Sequence, residues 1–599
     1  MSLAAASLQN RLFARPHACF TARLLLGACA LVLIAGCGGS PDTSGLSAMR
    51  EPAPRKAHAA TADNASAGDS AAASGSAAKS DSAAKNGNVV QADSAAPAGD
   101  SAAADAATRS PSAVDVQLQE DLIRAVIDNF NRLDEFDPNQ IFPQLRDRLN
   151  QWMLNSRPAG PWQRDPLLGT LDPSFSSAPL VAFYLKNLEI GLFTINDMIA
   201  LQEAIWTRDI AKNARGDQLD ELSIAEQLFD WTVRNLQLVE DPPAGTPAIE
   251  HSPAEILLLG RGTARERAWV FLLLLRQQGL DGVVLAIPGH DGSGEDKSPP
   301  RQWLTAFVTD NDLFLFDPSL GMPIPGPAGH RVATLADVAA DDELLRKLDL
   351  SSTRPYPVKA EQLGHLVAYV EASPAGLSRR METLEAHLTG DQRVILTARP
   401  QRVAERLAGR PQIDQIRYWS MPYEFWKARG ERTPGQPSPS ASELLVFEVV
   451  PPLLKGRSLQ FKGAIETARA NYFSARLSKK QVAQLRIRPQ EKKIWEMAKQ
   501  DASYWLGLIA FEQKEYPVAI DYFSRRTLEA TPDGPWSDGA HYNLGRAYEA
   551  GGQLAEAIEL YQSDRSPQKH GNRLRARRLK AQTAASDSGT SDTAEEKKP

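Results

Sequence analysis

The 599-residue sequence predicts a multidomain α+β protein. A helix-plus-antiparallel-sheet core comes first, then a largely helical region, then an array of α-helical hairpins. Three observations predict this. A helix that is apolar almost all round, Ala264 to Gln278, runs straight into a strand and a hairpin. Leu506-Gly507 recurs as Leu544-Gly545, each copy followed at the same interval by an alanine and then an aromatic residue. A long stretch of Ala, Ser, Gly and Asp separates both regions from the N-terminus.

Composition narrows the function classes. The net charge is -6 and the pI is near 6.0, so no basic face for nucleic acid is expected. The chain has 3 cysteines, Cys19, Cys29 and Cys37, and none beyond. Once the leader is removed, no disulfide framework, Cys-ligated zinc site or thiol nucleophile is available inside the folded part. The nine histidines are scattered without metal-ligand spacing, so neither a metal nor a cofactor is expected. Gly-x-Ser-x-Gly and phosphate-loop patterns are absent, and the Gly289 to Gly294 stretch opens no helix.

Arg11, Arg15 and Arg23 precede an apolar run, Leu24 to Ala35, that is too short for a comfortable membrane span. The run ends in Leu33-Ile34-Ala35-Gly36-Cys37, which resembles the bacterial lipobox. That resemblance implies thioether attachment of a diacylglycerol to Cys37, cleavage before it, and a membrane partner held through lipid. Gly38 follows, rather than the aspartate of inner-membrane retention. The expected location is the cell envelope, at the outer membrane and facing the periplasm. Residues 37–112 then lack the apolar surface to repay chain entropy and read as a disordered tether.

Order is expected from Val114. Leu118, Leu122, Val126, Phe130 and Leu133 form a helical stripe. Leu180 to Leu201 and Ile224 to Leu238 are further helices, the second opening on a Ser223/Glu226 capping box. Thr263 and Glu266 form another capping box, and Gly279 is placed to end the buried helix. Gly282 to Ile287 reads as a strand, His290 to Pro300 as a loop, and Trp303 to Thr309 with Leu313 to Phe316 as a hairpin. Residues 330–498 show helical pieces, Leu377 to Leu388 and Ala464 to Ala475, but no motif.

Leu275-Arg276-Gln277-Gln278-Gly279, Arg301-Gln302-Trp303 and Asp317-Pro318-Ser319, in this order and spacing, resemble the transglutaminase-like (papain-like) core. In that family a cysteine opens the buried helix, a histidine begins the hairpin and an aspartate closes it. The resemblance puts Ala264 at the cysteine position, Arg301 at the histidine position and Asp317 at the aspartate position. Two of the three cannot do the chemistry: alanine has no nucleophile, and a guanidinium cannot act as a base near neutral pH. The resemblance therefore implies a pseudoenzyme whose degenerate cleft is Ala264, Arg301 and Asp317, with no catalytic residue. An Arg301–Asp317 salt bridge would replace the old contact. Trp303 is expected as core or as a wall of that cleft. Thr263 with His290 is the one conceivable substitute pair, and Thr263 is better used as the helix cap.

Leu506, Gly507, Ala519 and Phe523, repeated as Leu544, Gly545, Ala557 and Tyr561, resemble tetratricopeptide repeats. The glycine and alanine lie where helices cross closely, and the aromatic fills the gap. The resemblance implies capping by Lys492 to Lys499 and Asn572 to Ala581, and recruitment of a partner on a concave face. The basic run Arg573, Arg575, Arg577, Arg578 and Lys580 reads as the polar face of the last helix, with anionic polymers or lipid headgroups as the alternative.

The expected organisation is 1–36, signal peptide; 37–112, tether; 113–329, helical region with the transglutaminase-like domain; 330–498, mixed and mostly helical; 499–582, tetratricopeptide repeats with a capping helix; 583–599, disordered tail. The expected function is a membrane-anchored, non-catalytic scaffold that binds an envelope protein or peptide. A peptide hydrolase or acyltransferase with an unrecognised nucleophile, and a purely structural lipoprotein, are the alternatives.

Overall fold

The computed structural model describes residues 113–591, apart from Asp137 and residues 156–160, 243–250, 290–297, 328–330 and 433–439. Cys37, the lipobox, the tether, His290 and the last residues lie outside the described part.

The longer helices are α1 (Ala113–Phe130), α2 (Pro138–Asn155), α3 (Pro179–Lys186), α4 (Ile195–Arg215), α5 (Glu221–Asn235), α6 (Pro253–Leu259) and α7 (Ala264–Gln277), followed by α8 (Arg379–His387), α9 (Pro400–Leu407) and α10 (Met421–Glu431). The C-terminal set is α11 (Ala441–Val449), α12 (Pro451–Phe461), α13 (Ile465–Ala475), α14 (Pro489–Glu512), α15 (Tyr516–Phe523), α16 (Ser537–Ala550), α17 (Leu554–Ser563) and α18 (Lys569–Ser591). No helix among the described residues is long and apolar enough to cross a membrane.

Several local expectations shift. The α1 stripe is Ile123, Val126, Ile127 and Phe130, all buried, while Leu118 is 55% exposed. The stretch expected as one helix from Leu180 to Leu201 is two, α3 and α4, and α4 starts on a Thr194/Asp197 capping box. Ser223 does not cap α5. The cap is Asp220, whose carboxylate accepts from Ser223 N at 2.8 Å, so the helix starts two residues before Ser223. The helices of the middle region follow their expected spans closely, as α8 and α13.

Two strands, β1 (Gln237–Leu238) and β2 (Arg261–Gly262), pair in parallel just before α7. The main sheet uses β3 (Asp281–Gly289), β4 (Ser298–Val308), β5 (Leu313–Asp317), β6 (Met322–Pro323), β7 (Leu366–Val370) and β8 (Ile413–Tyr418). Its order is β6-β5-β4-β3-β7-β8, antiparallel throughout except for β7 beside β8. The helix, strand and hairpin anticipated between 264 and 317 are α7, β3, β4 and β5. The sheet does not stop at 329: β7 pairs with β3 through Val283↔Val370 to Ala286↔Val367.

Both faces of this sheet are covered, which explains why β3 reads as a continuous apolar run rather than an alternating one. Val284, Phe307 and Phe316 face α7 in a core that extends from Ile123 to Leu579. Val283, Leu285, Leu304 and Ala306 face a second core built with residues 335–366. Phe271 of α7 lies between Phe229 of α5 at 5.1 Å and Phe316 of β5 at 5.3 Å, centroid to centroid. The larger core runs across the boundaries expected at 329/330 and 498/499, so body and C-terminal helices bury one another.

Candidate functional site

The N-terminus of α7 is where the sequence resemblance places a nucleophile. Thr263 is its cap: Oγ1 accepts from Glu266 N at 3.3 Å, and Glu266 Oε2 accepts from Thr263 N at 2.8 Å. The hydroxyl is thus spent on the helix end, and Ala264 beside it is half-buried. The other Glu266 oxygen meets His251 Nδ1 at 2.8 Å, and His251 Nε2 lies 3.6 Å from Glu443. Burial pushes the imidazole down, but hydrogen bonds and charge from these two carboxylates prevail and raise it to about 10. His251 is therefore a protonated clamp between the entry to α6, α7 and α11. Sequence reading missed it, because its partners lie on other elements.

Arg301 and Asp317 do not form the anticipated salt bridge. Arg301 is exposed on β4. Asp317 is buried, and its acceptors are filled by other groups: Oδ1 accepts from Ser319 N at 2.9 Å, Ser319 Oγ at 2.6 Å and Leu320 N at 3.0 Å, and Oδ2 from the Tyr356 hydroxyl at 2.8 Å. Trp303 completes a chain, donating from Nε1 to the Tyr356 oxygen at 2.8 Å. Its position has a backbone cause. Leu285 pairs with Leu304 and Ala286 with Gln302, so Trp303 is the extra residue of a β-bulge, a device that re-aims a side chain. Trp303 is buried in the second core. Burial and the Asp317 charge push the Tyr356 hydroxyl well up, so it stays a donor. A buried Trp–Tyr–Asp chain that is satisfied at every member holds geometry and offers no base.

The C-terminal helices form hairpins in series. α14 packs on α15, α16 on α17, and α18 on α17. A Cβ at Gly507 would lie 2.6 Å from the Phe523 ring, and one at Gly545 would lie 2.5 Å from Tyr561. The signature residues therefore meet as expected: small residue against aromatic at each crossing. The expected N-terminal cap, Lys492 to Lys499, is instead part of α14 itself. Upstream of α14, beyond the short helix Lys479–Gln484, lies another hairpin, α12 with α13, in which Gly456 faces Tyr472 with a hypothetical Cβ 2.7 Å from the ring. Gly456, Ala468 and Tyr472 repeat the intervals of Gly507, Ala519, Phe523 and of Gly545, Ala557, Tyr561. The signal was present in the sequence, but Lys455 replaces the leucine before the glycine and the offset to the next copy is longer. At the other end, Asn572 to Ala581 lies within α18, as anticipated for a cap. The basic run is largely engaged: Arg575 pairs with Glu549 at 2.7 Å, and Arg577 donates to Asp349 O at 2.8 Å.

The inner side of this array is not open. Asp230 of α5 accepts from Arg546 of α16 at 2.6 Å and from Arg234 at 2.8 Å. Burial alone would raise Asp230, and the two guanidinium groups overrule it and hold it well below the usual carboxylate range. Asn543 donates to Arg234 O at 3.0 Å, and Gln237 bridges Gly539 N at 2.7 Å and Pro535 O at 2.9 Å. Arg267 of α7 donates to Gln568 at 2.7 Å, to Pro318 O, and to Val233 O and Leu236 O at the end of α5. Arg457 of α12 donates to Leu257 O of α6 at 2.9 Å and lies 4.9 Å from the Trp505 ring. Much of the face that was expected to recruit a partner thus binds the body of the same chain.

The tetratricopeptide repeat family matches residues 540–563, which fall on α16 and α17. No curated protein matches the chain, and no solved structure matches it. Tetratricopeptide arrays present extended binding surfaces, so the matched repeat suggests a role in protein interaction. Among the described residues no group of three or more His, Cys, Asp or Glu is arranged to hold a metal ion.

Proposed function

We propose that the chain is a lipid-anchored envelope scaffold. It is cut before Cys37, held by lipid at the outer membrane facing the periplasm, and carried into the periplasm by its tether. Its body is a transglutaminase-like pseudoenzyme used for support, and its repeat array recruits a protein or peptide. The observation that carries the reading is the hairpin series containing the matched repeat at 540–563. The chemistry at the α7 N-terminus supports the non-catalytic half: the Thr263 hydroxyl caps a helix, Ala264 has no reactive atom, and the Asp317 oxygens are filled.

Because α5 occupies part of the inner side, recruitment falls to faces that remain exposed. Phe473 of α13, Met497 of α14 and Val518 of α15 are large apolar residues between 44% and 49% exposed. Truncating the array would expose Tyr504 and Trp505, both fully buried, so the test uses surface substitutions in the full chain. Phe473→Asp, Met497→Asp and Val518→Asp together should remove defined in-cell crosslinks to envelope proteins while the melting temperature holds. Unchanged crosslinks would remove the array from recruitment. Metabolic labelling with an alkyne fatty acid tests the anchor: label should be lost in Cys37→Ala, and label that persists would sink it.

A further inference from the structure

On the side of the sheet where α8 and α9 connect β7 to β8, a cavity of about 520 Å³ opens between α7, β3 and the segment 379–403. A second cavity of about 250 Å³ shares Trp162, Glu382, Thr397, Arg399 and Arg402 with it. The two form one trench, within the size range of ligand sites. Its walls carry an excess of cation in a chain that is acidic overall. Arg276 is neutralised by the buried Glu371, Arg399 lies 3.6 Å from Glu385, and Asp281 is held by Arg406. Arg379, Arg393 and Arg402 have no carboxylate at ion-pair distance among the described residues; the carboxylates of the trench without a cation of their own are Glu382 and Asp165, and the Asp165 oxygens already accept from Leu167 N at 2.9 Å and Gln401 N at 3.1 Å. Three guanidinium forks along one trench suit oxyanions spaced along a ligand.

The backbone beside the trench decides which kind of ligand. An extended peptide would bind by pairing with a free edge. Here the edge is consumed. Ile395 exchanges both its backbone groups with the Gln277 side chain, at 2.8 Å and 3.2 Å. Leu396 N and Thr397 N donate to Glu385 at 2.7 Å each, and Ala398 N donates to Gly376 O at 2.9 Å. Recognition is left to side chains: the guanidinium forks, and the half-buried indole of Trp162 at the junction of the two cavities. A flat apolar ring beside cationic forks suits a pyranose, whose C–H face lies on the ring while its acidic group meets an arginine.

We propose that this trench binds an acidic oligosaccharide, a linear chain of sugars bearing carboxylates. The assignment is independent of the repeat array and of the anchor. The test is calorimetric titration of the soluble chain from residue 38 onward with hexagalacturonate. Maltohexaose, hexa-aspartate and inorganic phosphate are the comparators, each at low and high salt. Hexagalacturonate should bind, and more weakly at high salt, while maltohexaose should not. Arg379→Ala with Arg402→Ala should weaken binding at least tenfold, and Trp162→Ala several-fold. Should that pair of arginine variants lower the melting temperature, Arg393→Glu, at an exposed position, gives the same reading. The proposal is overturned by absent hexagalacturonate binding, or by variants that bind like the parent. It is also overturned if hexa-aspartate binds as tightly and ignores Trp162→Ala, which would make the trench a peptide site. Competition by phosphate at equal concentration would reduce it to a simple anion site.

Discussion

Replacing Gly456, Gly507 or Gly545 by alanine should destabilise the chain by about the same amount at each. Each glycine is in a helix, where alanine alone would gain roughly 1 kcal/mol. Against this, the added methyl would lie 2.7 Å from the Tyr472 ring at Gly456, 2.6 Å from Phe523 at Gly507 and 2.5 Å from Tyr561 at Gly545. Ordinary contact begins near 3.4 Å, so every ring must retreat by about 1 Å into a packed core. Overpacking of this kind costs about 1–3 kcal/mol, and the net is a loss of up to about 2 kcal/mol per site. Urea unfolding reads the loss as a lower midpoint at unchanged slope. In a Tyr561→Leu background the clash is gone, so Gly545→Ala should become neutral or slightly stabilising, and the double-mutant cycle isolates the crossing. If Gly456→Ala stabilises the chain while the other two destabilise it, α12 and α13 do not cross as the other hairpins do. The reading of a third copy then fails.

Other outcomes follow from buried charge. Burial, with the Glu255 charge next to it, raises the Glu203 carboxyl to about 8, so the folded chain holds a proton that the unfolded chain releases near 4.5. Stability must then fall as pH rises from 4.5 to 8, and Glu203→Gln should gain about 2–4 kcal/mol at pH 8 and almost nothing at pH 4.5. A gain that is flat with pH in urea titrations would refute this. His251, raised to about 10 by its two carboxylates, works over another window. Its contribution is complete below pH 6.5 and lost as pH rises toward 10, so the stability gap between parent and His251→Gln should shrink across that range, by on the order of 3 kcal/mol. Asp317→Ala strips four donors of their acceptor and should cost about 3 kcal/mol, whereas Arg301→Ala, at an exposed position, should stay within about 0.5 kcal/mol. The two should be additive; coupling above about 0.5 kcal/mol would restore the salt bridge that the geometry lacks.

Local pattern made much of the fold legible. The apolar run of α7, the glycine at its end and the turn at Asp310 to Asp312 between two apolar runs specify a helix, a strand and a hairpin through short-range rules. The α14–α17 hairpins were equally readable, because their Gly, Ala and aromatic positions recur at fixed intervals. The α1 stripe held at Val126, Phe130 and Leu133 but took in the exposed Leu118 and left out Ile123 and Ile127, since an apolar pattern shows that a face is buried but not which neighbour buries it. The break between α3 and α4 was missed because the apolar residues between them continue the helical pattern. The third hairpin was overlooked because a lysine stands where the other copies have leucine, a position the crossing itself does not need.

By itself, the sequence determined the helix, strand and hairpin between 264 and 317, the repeated helix crossings of α14 to α17, and the absence of any cysteine beyond Cys37. These are properties of residue type and near-neighbour spacing, and they need no knowledge of what lies across the core. Only the tertiary structure decided that β7 joins β3 in one sheet, that Asp317 is satisfied by Tyr356 and Ser319 rather than by Arg301, and that α16 turns its Asn543 and Arg546 onto α5. It also decided that Arg379, Arg393, Arg399 and Arg402 line one trench. The physical reason is common to all of these. Each is a pairing between groups far apart in the chain, and which donor meets which acceptor is set by the packing of whole elements, since many partners of equal chemistry were available to every one of them.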